Sequence, residues 1–400
     1  MAGTRMQRWF PGTSYPLIVS APMAFVTNPR LATEVSKAGG LGFIQGGRDF
    51  APGSSSLQKL NDQLRLAREL LSHEGNSNSS ATTTPLPIGV GFVTFAPSMQ
   101  HFAATVAPIL RRHRPAAVWF FAPEPAAHPE SLAHAIRSLR SSPTTTTSSS
   151  SSSPPSPSSS SSSAAGEKED RDHGWTPKIA VQVGSVAAAR EAARLYGADI
   201  VVAQGADAGG HQFARAAGVV SLVPEIVDML RVGEEGGGEE EGREVAVWAA
   251  GGIADGRGVA AALALGAEGA VLGTRYTVAT ESDAPDVKRK AVLAASDGGQ
   301  STVKSQLHDH VQGNTTWPDV YDGRAIVHPS YEDALAGVPI EENERRFRAA
   351  KESGDSSRTI TWSGTGVGLI KKEQPAADIT RDARDGALRV LSNLKSTGDS

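Results

Sequence analysis

Eight short aliphatic runs, each followed by a stretch of helical periodicity, constrain this chain more than any other feature. The runs fall at 17–20, 41–44, 87–91, 117–121, 178–183, 199–203, 245–249 and 269–272. Helical patterns occupy about 29–38, 55–73, 98–112, 129–140, 185–196, 221–231 and 255–265. Short β-branched and aliphatic runs bounded by glycine read as strands buried on both faces. A helix between successive strands makes their pairing parallel, because parallel strands need a long crossover. Ala38-Gly39-Gly40, Tyr196-Gly197-Ala198 and Leu265-Gly266-Ala267 place glycine just past a helix and just before a strand. That is where a helix stop signal belongs. The pattern predicts an α/β fold, a closed (β/α)8 TIM barrel. An open doubly wound sheet is the alternative, and no G-x-G-x-x-G opens the first unit to favour it.

Three segments interrupt the alternation: 75–84 is rich in Asn, Ser and Thr, 141–171 in Ser, Thr and Pro, and 233–242 in Gly and Glu. Segments of this composition bury too little apolar surface to offset their ordering entropy, so disordered insertions are expected. The organisation read from the pattern is a barrel over 1–284 and a mostly helical, substrate-covering region over 285–370. A C-terminal helix and tail follow over 371–400. Trp317, Tyr321 and Trp362 are candidates for an aromatic cover, with ordinary packing as the other reading.

Composition removes several classes of function. The net charge is only −4, with no evident basic face, which gives no support for a nucleic-acid partner or an anionic membrane surface. No cysteine is present, so disulfides, thiolate metal sites, iron–sulfur clusters and cysteine nucleophiles are excluded together. No apolar run reaches the length of a membrane span. A strand beginning near Leu17 leaves little room for a cleavable targeting peptide, so a cytoplasmic enzyme is expected. His308-x-His310 lacks further ligands at convincing spacing, and no metal is assigned.

In a barrel of this kind the chemistry sits on loops after the strands' C-terminal ends. Ala21-Pro22-Met23, Gly91-Phe92, the stretch Gln204 to His211, and Ala250-Gly251-Gly252 all meet that condition. Gln204-Gly205-Ala206-Asp207-Ala208-Gly209-Gly210-His211 is a glycine-rich loop ending in the one histidine so placed among ten. Glycine lets backbone approach a flat ligand closely, and histidine moves protons near neutral pH. A glycine turn with an incidental surface histidine is the competing interpretation. Farther along, the N–H groups of Gly251, Gly252, Gly273 and Thr274 follow the last two strands, the usual anion position of this architecture. Asp255 is placed to cap the next helix. Tight turns without ligand remain the alternative, and the absence of a G-K-[ST] loop argues against a nucleoside triphosphate.

Taken together, Pro22-Met23, Ala38-Gly39-Gly40-Leu41-Gly42, the Gln204–His211 loop, Ala250-Gly251-Gly252-Ile253, Gly273-Thr274 and Gly364-Thr365-Gly366-Val367-Gly368-Leu369-Ile370 resemble the nitronate monooxygenases. The resemblance runs in order from about residue 15 to about 395, the insertions excepted. It implies flavin mononucleotide (FMN) in the barrel, with the phosphate at Gly252, Gly273 and Thr274. Gln204 and Gly209 would contact the cofactor, Gly210 and Gly251 would border it, and His211 would act as base. Met23 would cover the ring, beside Pro22, and Gln182 would be a polar partner beneath it unless it is an inward-facing structural glutamine. The substrate would be a nitronate or nitroalkane, oxidised by dioxygen to a carbonyl compound and nitrite. Two departures stand out. Asp207 replaces a glutamate common in the family, and Gly91 stands where some bacterial relatives carry asparagine. The competing enzymatic reading is an FMN-dependent enoyl-acyl-carrier-protein reductase, but no nicotinamide-binding segment is identifiable. A barrel of the inosine-monophosphate dehydrogenase type would need a catalytic cysteine. A flavin-binding protein whose catalysis has lapsed is the non-enzymatic alternative.

Overall fold

The computed structural model describes residues 3–72, 84–122, 129–141, 175–235 and 244–398. The expected insertions at 75–84, 141–171 and 233–242 therefore lie outside the described residues, save at their edges. Residues 233–235 are the last turn of a helix spanning Val219–Glu235.

The predicted runs form eight strands: β1 (Leu17–Ser20), β2 (Gly42–Gly47), β3 (Leu86–Val93), β4 (Pro115–Phe121), β5 (Lys178–Val183), β6 (Ile200–Gln204), β8 (Ala246–Ala250) and β9 (Gly269–Leu272). A short ninth strand, β7 (Gly210–Phe213), lies between β6 and β8 in sequence but outside this sheet. The eight pair in parallel in the order β1-β9-β8-β6-β5-β4-β3-β2. A parallel bridge between Val19 and Leu41 joins β1 to the start of β2. There Leu41 N–H donates to Ile18 O at 2.9 Å and Ser20 N–H to Leu41 O at 3.2 Å. The ring is closed, so the barrel holds and the open sheet does not.

Successive strand residues point to opposite faces, and both faces here are apolar. Leu17, Val19, Phe43, Trp119 and Trp248 fill the barrel. Phe43 meets Trp119 edge-on at 5.2 Å between ring centres. Ile18, Ile44, Val118, Val181 and Val247 face outward against the helices. The short helix Arg5–Trp9 and the residue after it add Met6 and Phe10 to the inner cluster, which closes the mouth opposite the site. Asn28, Ser185 and Asp255 cap the helices Pro29–Lys37, Val186–Arg194 and Gly256–Ala264 by accepting backbone N–H groups. Each cap satisfies donors that a helix start leaves unpaired.

The eighth helix of the ring is not next to β9 in sequence. It is the C-terminal helix Ala376–Gly398, which packs against Gly256–Ala264 and Pro29–Lys37. Ala376, Ile379, Ala383 and Ala387 enter the outer core. The Tyr276 and Thr380 hydroxyls meet at 2.7 Å, and Arg384 Nη1 donates to Ala38 O at 2.6 Å. The helix expected within 371–400 is thus the one that completes the barrel.

Between β9 and that helix the chain travels over the strands' C-terminal ends. Its helices Asp286–Ala294, Pro329–Leu335 and Ile340–Ser353 match the helical expectation for 285–370. That expectation missed β10 (Thr302–Ser305) and β11 (Tyr321–Ile326), which join β7 in a three-stranded antiparallel sheet, order β10-β11-β7. The Gln204–His211 stretch is correspondingly not loop throughout, since Gly210 and His211 begin β7. Gly-His-Gln-Phe shows no aliphatic run, and its partner lies more than a hundred residues away, so the sequence gives no local signal. Among the described residues no helix is long and apolar enough to cross a membrane.

Candidate active site

The site is assembled where β6 hands the chain to β7. Gln204 ends β6, and its Nε2 donates to the His211 carbonyl at 3.2 Å, tying the two ends of the loop together. His211 pairs with Gly323 of β11 in antiparallel register. Gly323 has no room for a side chain because the Trp362 ring lies against it. Trp317 stacks on the His211 imidazole with ring centres 3.7 Å apart and 9° between planes. Trp362 approaches the same imidazole at 4.8 Å and 49°. Two of the three aromatics singled out in the sequence therefore hold His211, and Tyr321 packs behind them against Phe121 and Phe213. His211 Nε2 lies 2.8 Å from Asp309 Oδ2, and both side chains are largely withdrawn from water, 16% and 7% exposed.

The glycine turn after β8 packs on the loop that leads to this imidazole, a Cβ on Gly251 standing 2.9 Å from Gly205 O and one on Gly252 3.0 Å from Asp207 Cβ. Gly251 and Gly252 adopt φ of 115° and 72°, values that disfavour any residue with a Cβ. The N–H groups of Gly251, Gly252 and Gly273 donate to nothing among the described residues. Asp255 already serves the first N–H groups of Gly256–Ala264, with Oδ1 accepting from Arg257 at 2.9 Å. An anion at these turns would be held by the turn amides rather than by that helix start. Met23 follows β1, with its sulfur 3.7 Å from where a Cβ on Gly273 would stand. Pro22 lies against Gly91 so closely that any Cβ there would collide with its ring. The departure at Gly91 is therefore coupled to Pro22, since an asparagine there would have to displace the proline.

A strap from the post-barrel excursion lies over these loops. Thr365 N–H donates to Asp207 O at 3.0 Å, and its hydroxyl to Asp207 Oδ1 at 3.0 Å. Gly364 N–H donates to Thr274 Oγ1 at 3.0 Å. Gly209 is pressed against this strap, with a Cβ there only 2.5 Å from the Ser363 carbonyl carbon. Gly210 takes φ of 74° where β7 begins. On the barrel side, Gln182 Oε1 accepts from Trp119 Nε1 at 2.9 Å, leaving its Nε2 unbonded among the described residues. Gln204 Oε1 is buried and has no donor among the described residues. Buried acceptors are rarely left so, and this one is a candidate ligand contact.

The remaining titratable groups nearby are structural. His308 Nδ1 lies 2.9 Å from His328 Nε2 and its Nε2 3.0 Å from Val303 O. Burial depresses both imidazoles, His328 to about 4, with the His308 and Arg358 charges adding to the effect. Burial raises the Asp322 carboxyl despite Lys304, whose Nζ is 3.4 Å away. Among the described residues no cluster of histidines and acids is arranged to hold a metal. Sequence reasoning missed Asp309 and Thr365. Asp309 stood in plain view between His308 and His310, which were weighed only as metal ligands. Thr365 lay in the Gly364–Ile370 run already noticed, without a partner to connect it to Asp207.

A closed (β/α)8 barrel with an imidazole, open turn amides and a buried amide oxygen at its C-terminal mouth has the make-up of a barrel enzyme, a class whose sites lie at that face. Comparison with known proteins narrows the class. Residues 161–383 match the family model described as nitronate monooxygenase. A protein of Neurospora crassa named nitronate monooxygenase is 46% identical over 394 residues, 98% of this chain and 94% of that protein. The nitroalkane oxidase of Streptomyces ansochromogenes superposes with a TM-score of 0.64 at 21% identity, covering 98% of this chain and 100% of that one. FabK from Thermotoga maritima gives 0.66 at 24%, covering 99% and 100%. At those identities the two solved structures speak for the fold. The chain belongs to the nitronate monooxygenase family, and it is an oxidoreductase.

Proposed function

We propose that this protein binds FMN at the C-terminal face of its barrel and oxidises nitronates, and nitroalkanes after their deprotonation, with dioxygen. The products would be a carbonyl compound and nitrite. The observation that carries the reading is the His211 imidazole, clamped by Trp317 and carried on the same loop as the glycine-packed Gly209. The residues present suit a flavin phosphate ester. Among the described residues Gln204 Oε1 is a buried acceptor without a donor, and the N–H groups of Gly251, Gly252 and Gly273 are donors without acceptors. Gly252, Gly273 and Thr274, with Gly251, would hold the phosphate. Pro22, Met23, Gln182, Gln204, Gly209 and Gly210 would border the ring, Met23 filling space as thioethers do. When bound, FMN supplies the electron transfer to dioxygen that no side chain here can perform.

The chain's own residues do the rest. His211 takes the α-proton of a neutral nitroalkane, and the C–H electron pair stays behind as the nitronate. A substrate supplied as nitronate bypasses that step. Trp317 and Trp362 fix the imidazole plane, so the acceptor lone pair meets the substrate without a search over rotamers. The test is chemical identification of the cofactor. Heat-denatured holoenzyme should release FMN, identified by chromatography, and nitrite should accumulate when a nitronate is supplied in air. Release of FAD only, or no flavin after reconstitution, removes the proposal.

A further inference from the structure

We propose that Asp309 is a positioning residue that accepts a hydrogen bond from His211 Nε2–H, and that Nδ1 is therefore the atom that receives the substrate's proton. The proposal rests on His211 acting as the base. Asp309 lies in the four-residue helix Leu307–His310 and is 5% exposed. Its Oδ2 is 2.8 Å from His211 Nε2, while its Oδ1 accepts from Asn314 Nδ2 at 3.0 Å. Asn314 N–H also donates to Asp309 O at 3.0 Å, so side chain and backbone are tied to the same neighbour. A carboxylate only accepts, and a neutral imidazole carries one N–H and one lone pair. With Nε2 donating to Asp309, the lone pair falls on Nδ1. That nitrogen makes no hydrogen bond among the described residues and is not among the buried atoms lacking a partner.

The ring is held against turning over. Trp317 lies parallel to it at 3.7 Å, Trp362 leans on it at 4.8 Å, and its backbone is paired with Gly323. Asp322, Lys304 and His308 are other ionisable groups nearby. Asp322 on β11 is engaged by Lys304 at 3.4 Å. His308 is bonded to Val303 O and His328, and burial lowers its pKa. Of the ionisable groups among the described residues, only Asp309 is hydrogen-bonded to the imidazole. In the proton transfer the substrate's C–H bond breaks, its electron pair remains on the nitronate, and the proton bonds to Nδ1. The carboxylate then faces an imidazolium already hydrogen-bonded to it, which stabilises the charge. This mirrors the orienting acid of hydrolytic triads, where the acid fixes the tautomer and a carboxylate-to-amide change costs about 10⁴ in turnover.

The test uses flavin-loaded protein labelled with 15N at histidine. The His211 signal is identified by its loss in His211→Asn, and the neutral imidazole should show Nε2–H with an unprotonated Nδ1. In Asp309→Asn that tautomer preference should disappear. Turnover of a neutral nitroalkane should fall on the order of 10²–10⁴-fold, but no further than in His211→Asn. Turnover of the matching nitronate should change little, and Asp309→Glu should recover part of the loss. An Nδ1–H tautomer in the native protein overturns the proposal. So does an Asp309→Asn variant that keeps its flavin and loses nothing, or loses equally on both substrate forms. If Asp309→Asn fails to fold, the native tautomer still decides. If the native enzyme oxidises no nitronate, the functional reading falls instead, and the same spectrum still says whether Asp309 fixes Nε2.

Discussion

Gly298 and Gly299 are adjacent, share one short helical turn, Gly298–Ser301, and should respond oppositely to the same change. A Cβ on Gly298 would run into the Thr365 carbonyl, with Thr365 Cα at 2.9 Å, whereas the nearest atom to a Cβ on Gly299 is Asp297 Oδ1 at 3.9 Å. Thr365 is the strap residue bonded twice to Asp207, and its neighbour Gly364 is bonded to Thr274. Gly298→Ala must either be absorbed as overpacking, about 1–3 kcal/mol, or be relieved by moving the strap. Relief breaks those three hydrogen bonds, each contributing about 0.5–1.5 kcal/mol net. Either route predicts a loss of roughly 1–5 kcal/mol. Gly299→Ala should be neutral or gain up to about 1 kcal/mol by restricting the unfolded chain. Urea unfolding of both variants at unchanged m-value measures the difference, and flavin retention after gel filtration reports whether the strap has moved off the site. Equal midpoints and equal flavin content would refute the claim that Gly298 exists to let the strap close on the Asp207 loop.

Three further outcomes follow from the same geometry. His211→Asn should cut turnover of neutral nitroalkanes on the order of 10²–10⁴-fold while leaving preformed nitronates far less affected. The ratio of the two losses in oxygen-electrode assays is the informative quantity, and equal losses would make His211 a binding residue. Far from the site, burial and the charges of Arg68, Arg112 and Arg65 depress His113 from 6.5 to about 4. Between those values the unfolded chain binds a proton that the native state does not, so stability is full above pH 6.5 and is lost as pH falls toward 4. His113→Gln, which can still donate to Asn61 Oδ1 as Nε2 does at 3.0 Å, should flatten the fall of the urea midpoint across that window, and an unchanged slope would contradict the assignment. Lastly, Gly91→Asn should lower flavin content unless Pro22 is also changed to Ala, because the new side chain collides with the Pro22 ring. Full flavin content in the single variant would show that Pro22 gives way freely.

The barrel was readable because parallel strands buried on both faces must be nearly unbroken apolar runs. Ile200–Gln204 and Gly269–Leu272 fall within a residue of their expected limits for that reason. The glycine stops served equally well: Gly39, Gly197 and Gly266 have φ of 80°, 62° and 98°, the left-handed turns that the sequence implied. What failed to show was whatever depended on distant partners. β7 gets its strand character from β11, and the ring's last helix, Ala376–Gly398, returns only after the whole covering excursion. No local periodicity announces either pairing. His211 drew attention because a histidine ending a glycine loop is unusual in itself, but Asp309 stands out only through a 2.8 Å contact across 98 positions of sequence.

The central claim is oxidation of a nitronate by dioxygen without help from a nicotinamide. Oxygen consumption by purified, flavin-loaded enzyme with a preformed alkyl nitronate, in the absence of any reduced nicotinamide, tests it directly. The account predicts immediate oxygen uptake accompanied by nitrite, unchanged when NADH or NADPH is added. Uptake that appears only with a reduced nicotinamide, or none with any nitronate despite bound FMN, would contradict it.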